Sequence, residues 1–132
     1  MPRVVTVTYD SVHEFVHVEY LPVIVATRQD AWALAAGIDG EMSKLRRKVD
    51  VVVNLGKLVV KAAAVAAYDE ARQRLMAAYA RRSYSYGGSA LVRTRILTSS
   101  TLNGQPANVF ASYSEAVEAM LADRAREGVK RE

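Results

Sequence analysis

Two segments near the start of the chain have the alternating pattern of half-buried β-strands. Residues 3–9 are rich in β-branched side chains, residues 13–20 alternate between apolar and polar side chains, and a turn-forming Asp-Ser pair lies between them. The pattern predicts an antiparallel hairpin. Because successive side chains of a strand point to opposite faces, Val16 and Val18 are expected to face the core together.

Three later segments repeat apolar residues every three or four positions, which is the period of an amphipathic helix. We predict helices over residues 28–48, 61–82 and 112–121. The first and third have capping signals at their N-termini, Thr27 followed by Asp30 and Ser112 followed by Glu115. The polar residues 123–132 are expected to form a frayed C-terminal tail.

The remaining apolar runs predict strands. Residues 49–55 are almost continuously apolar, which is typical of a strand buried on both faces between parallel neighbours. Residues 91–98 and 107–111 predict two more strands. The resulting order predicts a single α/β domain over residues 1–122, with a four- or five-stranded mixed β-sheet, an N-terminal hairpin and helices packed on the sheet.

Composition narrows the possible chemistry. The 132 residues are 51% hydrophobic and 24% charged, which is the balance of a globular domain. The absence of cysteine excludes disulfides, thiolate nucleophiles and cysteine-ligated metals. The apolar runs are too short to span a membrane and the N-terminal residues lack the apolar core of a signal peptide, so we expect a cytoplasmic protein. The net charge of +4 permits an acidic partner without requiring one.

Two segments carry a resemblance to a known family. Residues 51–58, VVVNLGKL, resemble the place where a buried strand ends in a turn before a helix in the STAS domain family, the anti-sigma-factor antagonists and their SpoIIAA-like relatives. Residues 109–121, VFASYSEAVEAML, are similar to the closing strand, turn and helix of that family. The resemblance implies a STAS-like fold and a non-catalytic, regulatory or scaffolding role in a bacterial cell, through binding to another protein.

The resemblance also implies where the partner binds. In the family the partner surface is built around the turn after the central strand and the start of the following helix. The corresponding residues here are Asn54, Gly56, Lys57, Lys61, Ala62 and Ala63. Loops at the carboxyl ends of strands are common binding sites in open α/β sheets, and the two lysines favour an acidic partner. The phosphorylated serine of the family has no counterpart in residues 61–64, KAAA, so we expect its switch to be lost.

Another segment favours a different partner. Cationic and aromatic residues interleave in a way that suits nucleic acid or another anionic surface: Arg81, Arg82, Tyr84, Tyr86, Arg93 and Arg95. The structural alternative is that the arginines cap a helix C-terminus and the tyrosines cover a sheet edge. A small-molecule or lipid pocket, known among relatives of this fold, is a third interpretation, and a homo-oligomer is compatible with each.

The sequence gives little support to catalysis or metal binding. His13 and His17 lie four positions apart on a predicted strand, which separates them by about 13 Å, too far to share one metal ion. We interpret them as an exposed polar strand face. The sequence has no phosphate-binding loop, dinucleotide-binding motif or nucleophile elbow. We therefore predict a protein that is not an enzyme and that needs no cofactor or metal ion.

Overall fold

Strands and helices alternate along the chain. The structure, a computed structural model, describes residues 5–88, 93–94, 96–98 and 108–131. The strands are β1 (Val5–Asp10), β2 (Phe15–Tyr20), β3 (Val23–Val25), β4 (Val49–Asn54), β5 (Leu58–Val60), β6 (Ala80–Tyr86) and β7 (Val109–Phe110). The helices are α1 (Arg28–Met42), α2 (Val65–Tyr79) and α3 (Tyr113–Arg131), with short 3₁₀ helices at Ser43–Leu45 and Ala62–Ala64.

One mixed sheet has the strand order β1-β2-β4-β6-β7. Strands β1 and β2 form the predicted antiparallel hairpin, and the other neighbours are parallel. The Asp10 carboxylate accepts hydrogen bonds from the backbone N–H groups of Val12 and His13 at 2.9 and 3.0 Å, which closes the hairpin turn. The predicted mixed sheet with an N-terminal hairpin is confirmed.

The central strand β4 is covered on both faces, as its apolar run predicts. Val49, Val51 and Val53 belong to a core cluster that includes residues of α1 and α2, such as Leu34, Ile38 and Tyr68. On the opposite face, a second cluster lies under α3 and contains Phe15, Val52, Tyr84, Tyr86, Ala116 and Met120. The domain is thus a three-layer structure, with α1 and α2 on one face of the sheet and α3 on the other.

The second face of β2 differs from the prediction. We expected an exposed polar face, but Phe15 is fully buried and the side chain of His17 is only 19% exposed. The reason is α3, which covers this face of the sheet. Val16 and Val18 lie in the core as predicted.

Helices α1 and α2 are shorter than predicted at their C-terminal ends. The predicted N-cap Thr27 holds the start of α1 and forms a full capping box, since the Thr27 hydroxyl accepts from the Asp30 N–H at 3.1 Å and the Asp30 carboxylate accepts from the Thr27 N–H at 3.1 Å. Helix α1 ends at Met42, before a 3₁₀ turn and a left-handed Arg46, not at residue 48. Helix α2 covers only the middle of the predicted range 61–82, and the chain from Ala80 onward is strand β6.

Two further predictions near the C-terminus are wrong. Of residues 91–98, predicted as a strand, the described ones are helical, and Ile96 is buried in the core cluster beneath α1 and α2. A connection between the parallel strands β6 and β7 must cross one face of the sheet, which a helix does more readily than another strand. The segment 123–131, expected to fray, continues α3 to Arg131. Within the described residues, no helix is long and apolar enough to cross a membrane.

Candidate functional site

The strand β4 ends in a tight turn at the carboxyl edge of the sheet. The Asn54 side-chain oxygen accepts a hydrogen bond from the Gly56 N–H at 2.8 Å, and the Leu55 N–H donates to the Tyr86 carbonyl at 2.9 Å. The loop after β6 packs closely against this turn. Gly87 has a φ of +74°, and a Cβ at that position would lie 3.3 Å from the Asn54 side-chain oxygen, so glycine is favoured there.

The chain after this turn enters a second, two-stranded sheet before it reaches α2. Strand β5 pairs in parallel with β3, with Ile24 opposite Val59. The pairing is extended on both sides, because the Val23 N–H donates to the Lys57 carbonyl at 3.1 Å and the Lys61 N–H donates to the Val25 carbonyl at 2.8 Å. The short strand β5 therefore separates the turn after β4 from the start of α2.

The small sheet has one buried and one exposed face. Val25 and Leu58 are buried, whereas Ile24 is 58% exposed and its register partner Val59 is 46% exposed. Lys61 still has extended backbone angles, so it shares the outward face of Val59 by strand alternation. We call this region the β5 surface, formed by Ile24, Asn54, Gly56, Lys57, Val59, Lys61, Ala62 and Ala63.

The β5 surface contains all six residues of the predicted partner surface. Gly56, Lys57, Lys61, Ala62 and Ala63 are exposed and Asn54 is half-buried. They form two groups, one in the turn and one at the 3₁₀ helix that precedes α2, because β5 lies between them. The sequence prediction missed β5, and with it the exposed apolar pair that joins the two groups. The run of β-branched residues at 59–60 was the available signal.

The six residues of the predicted nucleic-acid set lie in different environments. Arg81 and Arg82, at the amino end of β6, both pair with Glu127 of α3. Tyr84 is fully buried and its hydroxyl donates to the Asp123 carboxylate at 2.6 Å, so its ring cannot stack on a base. Burial is the main reason that the pKa of this phenol lies well above its usual range. The other members are Tyr86, which is 9% exposed, Arg93, near the Gly88 carbonyl, and Arg95, which is outside the described residues.

The two histidines lie in different environments. His13 is exposed in the hairpin turn, whereas His17 lies under the start of α3, with its Nε2 2.8 Å from the Tyr86 hydroxyl. The described part of the chain contains no group of three or more His, Asp or Glu side chains that could hold a metal ion.

The comparisons with known proteins bear on the fold. No family model and no curated protein matches the sequence. Among solved structures, the chain is similar to an uncharacterized protein of the DUF3478 family from Shewanella loihica PV-4, described as having a SpoIIAA-like fold. The two share 10% sequence identity and a TM-score of 0.54, over 86% of this chain and 90% of that one. With the strand order and the helix layers described above, this similarity shows that the chain has a SpoIIAA-like fold.

Proposed function

We propose that the domain is a non-catalytic protein-interaction module with a regulatory or scaffolding role, and that its partner binds the β5 surface. The observation that carries the proposal is the exposed pair of Ile24 and Val59, which lie side by side next to Lys57 and Lys61. Apolar side chains surrounded by polar ones are the usual anatomy of a protein interface. The SpoIIAA-like fold adds support by analogy of fold alone.

The composition of the β5 surface indicates the kind of partner that fits. Apart from the amide of Asn54, its side chains are aliphatic or cationic, and they include no carboxylate, histidine or hydroxyl that could act in acid–base or nucleophilic chemistry. A complementary protein surface has an apolar centre and carboxylates at its rim, since opposite charges favour encounter and set the orientation of binding. Small alanines at positions 62 and 63 allow close approach of the partner backbone.

The test begins with affinity purification from the native cell, with the wild-type domain as bait. The captured protein is then identified and purified, and its dissociation constant is measured by calorimetry. The double variant Lys57→Glu, Lys61→Glu should bind it at least about tenfold more weakly, since each substitution replaces an attraction at the rim by a repulsion. Its circular dichroism and melting temperature should match those of the wild type, because both lysines are exposed.

A matched control reverses two charges elsewhere. Lys44 and Arg74 are exposed cations outside the β5 surface, each paired with one glutamate on its own segment. The variant Lys44→Glu, Arg74→Glu changes the net charge by the same amount and should bind as the wild type does. If both double variants bound the partner equally weakly, the effect would be one of general charge. If Lys57→Glu, Lys61→Glu bound the partner as tightly as the wild type, the partner would bind at another surface.

Nucleic acid is a weaker candidate for the partner. The proposed stacking residue Tyr84 is buried, and Arg81 and Arg82 share an acidic partner on α3. A titration of the domain with single-stranded oligonucleotide at low and high salt tests this alternative directly, because phosphate contacts weaken steeply with salt.

A further inference from the structure

Strand β1 forms one outer edge of the five-stranded sheet. One side of this strand pairs with β2, and no strand of the described residues pairs with its other side. Strand β1 has six residues, Val5–Asp10, whereas β7 at the opposite edge has two. The free side of β1 therefore presents a row of backbone N–H and carbonyl groups to which another strand can bond.

The free edge lacks the features that keep sheet edges from pairing in monomeric proteins. These features are very short strands, prolines, lysines, bulges and inward-pointing charges. Residues 5–9, VTVTY, contain no proline and no charged side chain, and the pairing of β1 with β2 is regular from Val5 to Asp10. The edge at β7 has the protection of a very short strand, and the edge at β1 does not. An edge of this kind is a template for pairing with another chain.

The sequence of β1 fits an antiparallel copy of itself. A two-fold axis through Val7 places this residue opposite its own copy. The same axis places Val5 opposite Tyr9 on the apolar face, and Thr6 opposite Thr8 on the polar face. A β-branched residue opposite an aromatic one and a pair of threonines are favourable cross-strand neighbours, and no like charges meet. The apolar residues of both copies stay on the side of α1, so the two cores remain on one face of the joined sheet.

Helix α1 has a flank of small residues beside this edge. A Cβ at Gly37 would lie 3.7 Å from the Val5 side chain, so this part of α1 lies above the edge strand. Ala33, one turn earlier on the same flank, is exposed, as is Gly37. The opposite flank of α1, which contains Trp32, faces a groove shared with α2. A two-fold axis at the free edge of β1 brings the small-residue flanks of two α1 helices side by side, where they permit close approach.

We propose that the domain forms a symmetric dimer in which the β1 strands of two copies pair antiparallel, with Val7 on the two-fold axis. The two five-stranded sheets then form one continuous sheet. A second copy of the chain fits the edge better than an unrelated strand, because each of residues 5–9 finds a suitable neighbour in the same sequence. The dimer does not depend on the proposed partner binding, since no residue of the β5 surface belongs to β1.

The first test measures the mass of the domain in solution. Sedimentation equilibrium of the purified wild type should give twice the mass of one chain, with a dissociation constant below about 100 μM. Thr6→Lys, Thr8→Lys should be monomeric at the same concentrations, because the lysines of the two copies would lie opposite each other. A monomeric wild type would overturn the proposal.

The lysine variant should keep its fold. Thr8 is exposed, and Thr6 lies opposite Glu19 of β2, which can pair with a lysine at that position. Its circular dichroism spectrum should therefore match that of the wild type.

Val12→Lys, His13→Lys is the matched control. It adds the same two charges at exposed positions of the neighbouring hairpin turn and should remain dimeric. Equal dissociation of this control would show that net charge decides association, which would overturn the role of the β1 edge. Lys57→Glu, Lys61→Glu should also remain dimeric although its partner binding is expected to weaken, so the dimer and the β5 surface are tested separately.

Cysteines test the register without adding charge, since the chain has none of its own. The proposed axis places residue 6 of one copy opposite residue 8 of the other, with Cα atoms about 4.5–5.5 Å apart, which is within the range of disulfides. A mixture of Thr6→Cys and Thr8→Cys should therefore form a disulfide-linked dimer under mild oxidation, measured on a non-reducing gel. Either variant alone should form much less, because identical positions are diagonal neighbours about 7–8 Å apart. Equal cross-linking in the mixture and in a single variant would overturn the proposed pairing.

Discussion

At the scale of single residues, His17 has an unusual environment for a titratable group, since its side chain is only 19% exposed. Its Nδ1 is 3.5 Å from the Glu19 carboxylate, its Nε2 is 2.8 Å from the Tyr86 hydroxyl, and its ring centroid is 5.0 Å from that of Tyr113. Burial lowers the pKa of His17, and the nearby Glu19 opposes this effect only in part. Burial also raises the pKa of Tyr86 to about 12. The pair is therefore neutral at neutral pH.

The lowered pKa predicts that acid weakens the fold through His17. Because the unfolded chain has the higher histidine pKa, about 6.5, it takes up the proton first, so the stabilisation is present above that pH and is lost as the pH falls through the folded-state value. The free energy of unfolding in urea should thus fall between about pH 7.5 and pH 5.5. His17→Gln should reduce this fall, whereas His13→Gln, at an exposed turn position, should retain it. The same pH dependence in His17→Gln and in the wild type would assign the effect to other groups.

At the scale of elements, the correct predictions were those with a local chemical signal. The helix caps at Thr27 and Ser112 and the apolar run of β4 each depend on side chains within a few positions of one another. The turn at Asn54 belongs to this class as well, because its hydrogen bond spans only two residues. These features could be predicted because the interactions that form them are encoded in consecutive residues.

The elements that sequence reasoning misplaced depend on distant partners. Alanine and arginine at positions 80–82 are good helix formers, but pairing with the buried strand β4 outweighs a helix preference of a few tenths of a kcal/mol per residue. The alternating Ser83, Tyr84, Ser85 and Tyr86 were the local sign of a strand. Once β6 is parallel to β7, a crossover connection is needed, which is usually helical, and the described residues 93–94 and 96–98 of this connection are helical.

The same division between local and long-range interactions decides which parts of the candidate site could be predicted. Gly56 and Lys57 of the predicted partner surface could be placed at the carboxyl edge because they come directly after the end of β4. Lys61, Ala62 and Ala63 come only after the intervening strand β5. The exposed pair of Ile24 and Val59, by contrast, arises from the pairing of β3 with β5, two segments that are far apart in the sequence. No spacing within the sequence connects these residues.

Helix α3 is joined to the sheet by a buried ion pair. Arg124 Nε donates to the Asp50 carboxylate at 2.8 Å, and the rest of its guanidinium donates to the carbonyls of His13 and Glu14. The Asp50 side chain is 1% exposed, while that of Arg124 is 26% exposed. A single side chain therefore connects the last helix, the central strand and the hairpin turn.

Removal of this arginine should destabilise the domain strongly. Arg124→Met leaves the Asp50 charge buried without its partner, so we expect a loss of about 3 kcal/mol, near the lower end for broken buried pairs because Arg124 is partly exposed. Arg126→Met, which breaks an exposed pair with Asp123, should cost less than about 1 kcal/mol. Urea unfolding measures both.

A second substitution distinguishes the cost of the unpaired Asp50 carboxylate from the cost of lost packing. If the cost arises from the unpaired carboxylate, the double variant Asp50→Leu, Arg124→Met should be more stable than Arg124→Met alone. A double variant that is less stable would indicate that the contacts of Arg124 with the hairpin turn matter more than its charge.

At the scale of the whole molecule, the two faces of the sheet are covered unequally. Helices α1 and α2 share one face with a larger core, while α3 is the only described helix that covers the second cluster around Phe15, Val52 and Tyr84. The C-terminal half of α3 contributes polar contacts to this face, because Asp123, Arg124 and Glu127 all bond to side chains of β4 or β6. The polar segment of the sequence thus holds the third layer in place.

The length of α3 leads to a test by truncation. A chain ending at Ala122 loses the acceptor of the Tyr84 hydroxyl, the partner of Asp50 and the partner of Arg82, which together should cost at least about 4 kcal/mol. Since domains have total stabilities of about 5–15 kcal/mol, this chain should melt far below the wild type or fail to fold. A chain ending at Glu127 keeps all three contacts and should melt close to the wild type. Equal melting temperatures for the two truncated chains would show that residues 123–127 add nothing to the fold, as expected of a frayed tail.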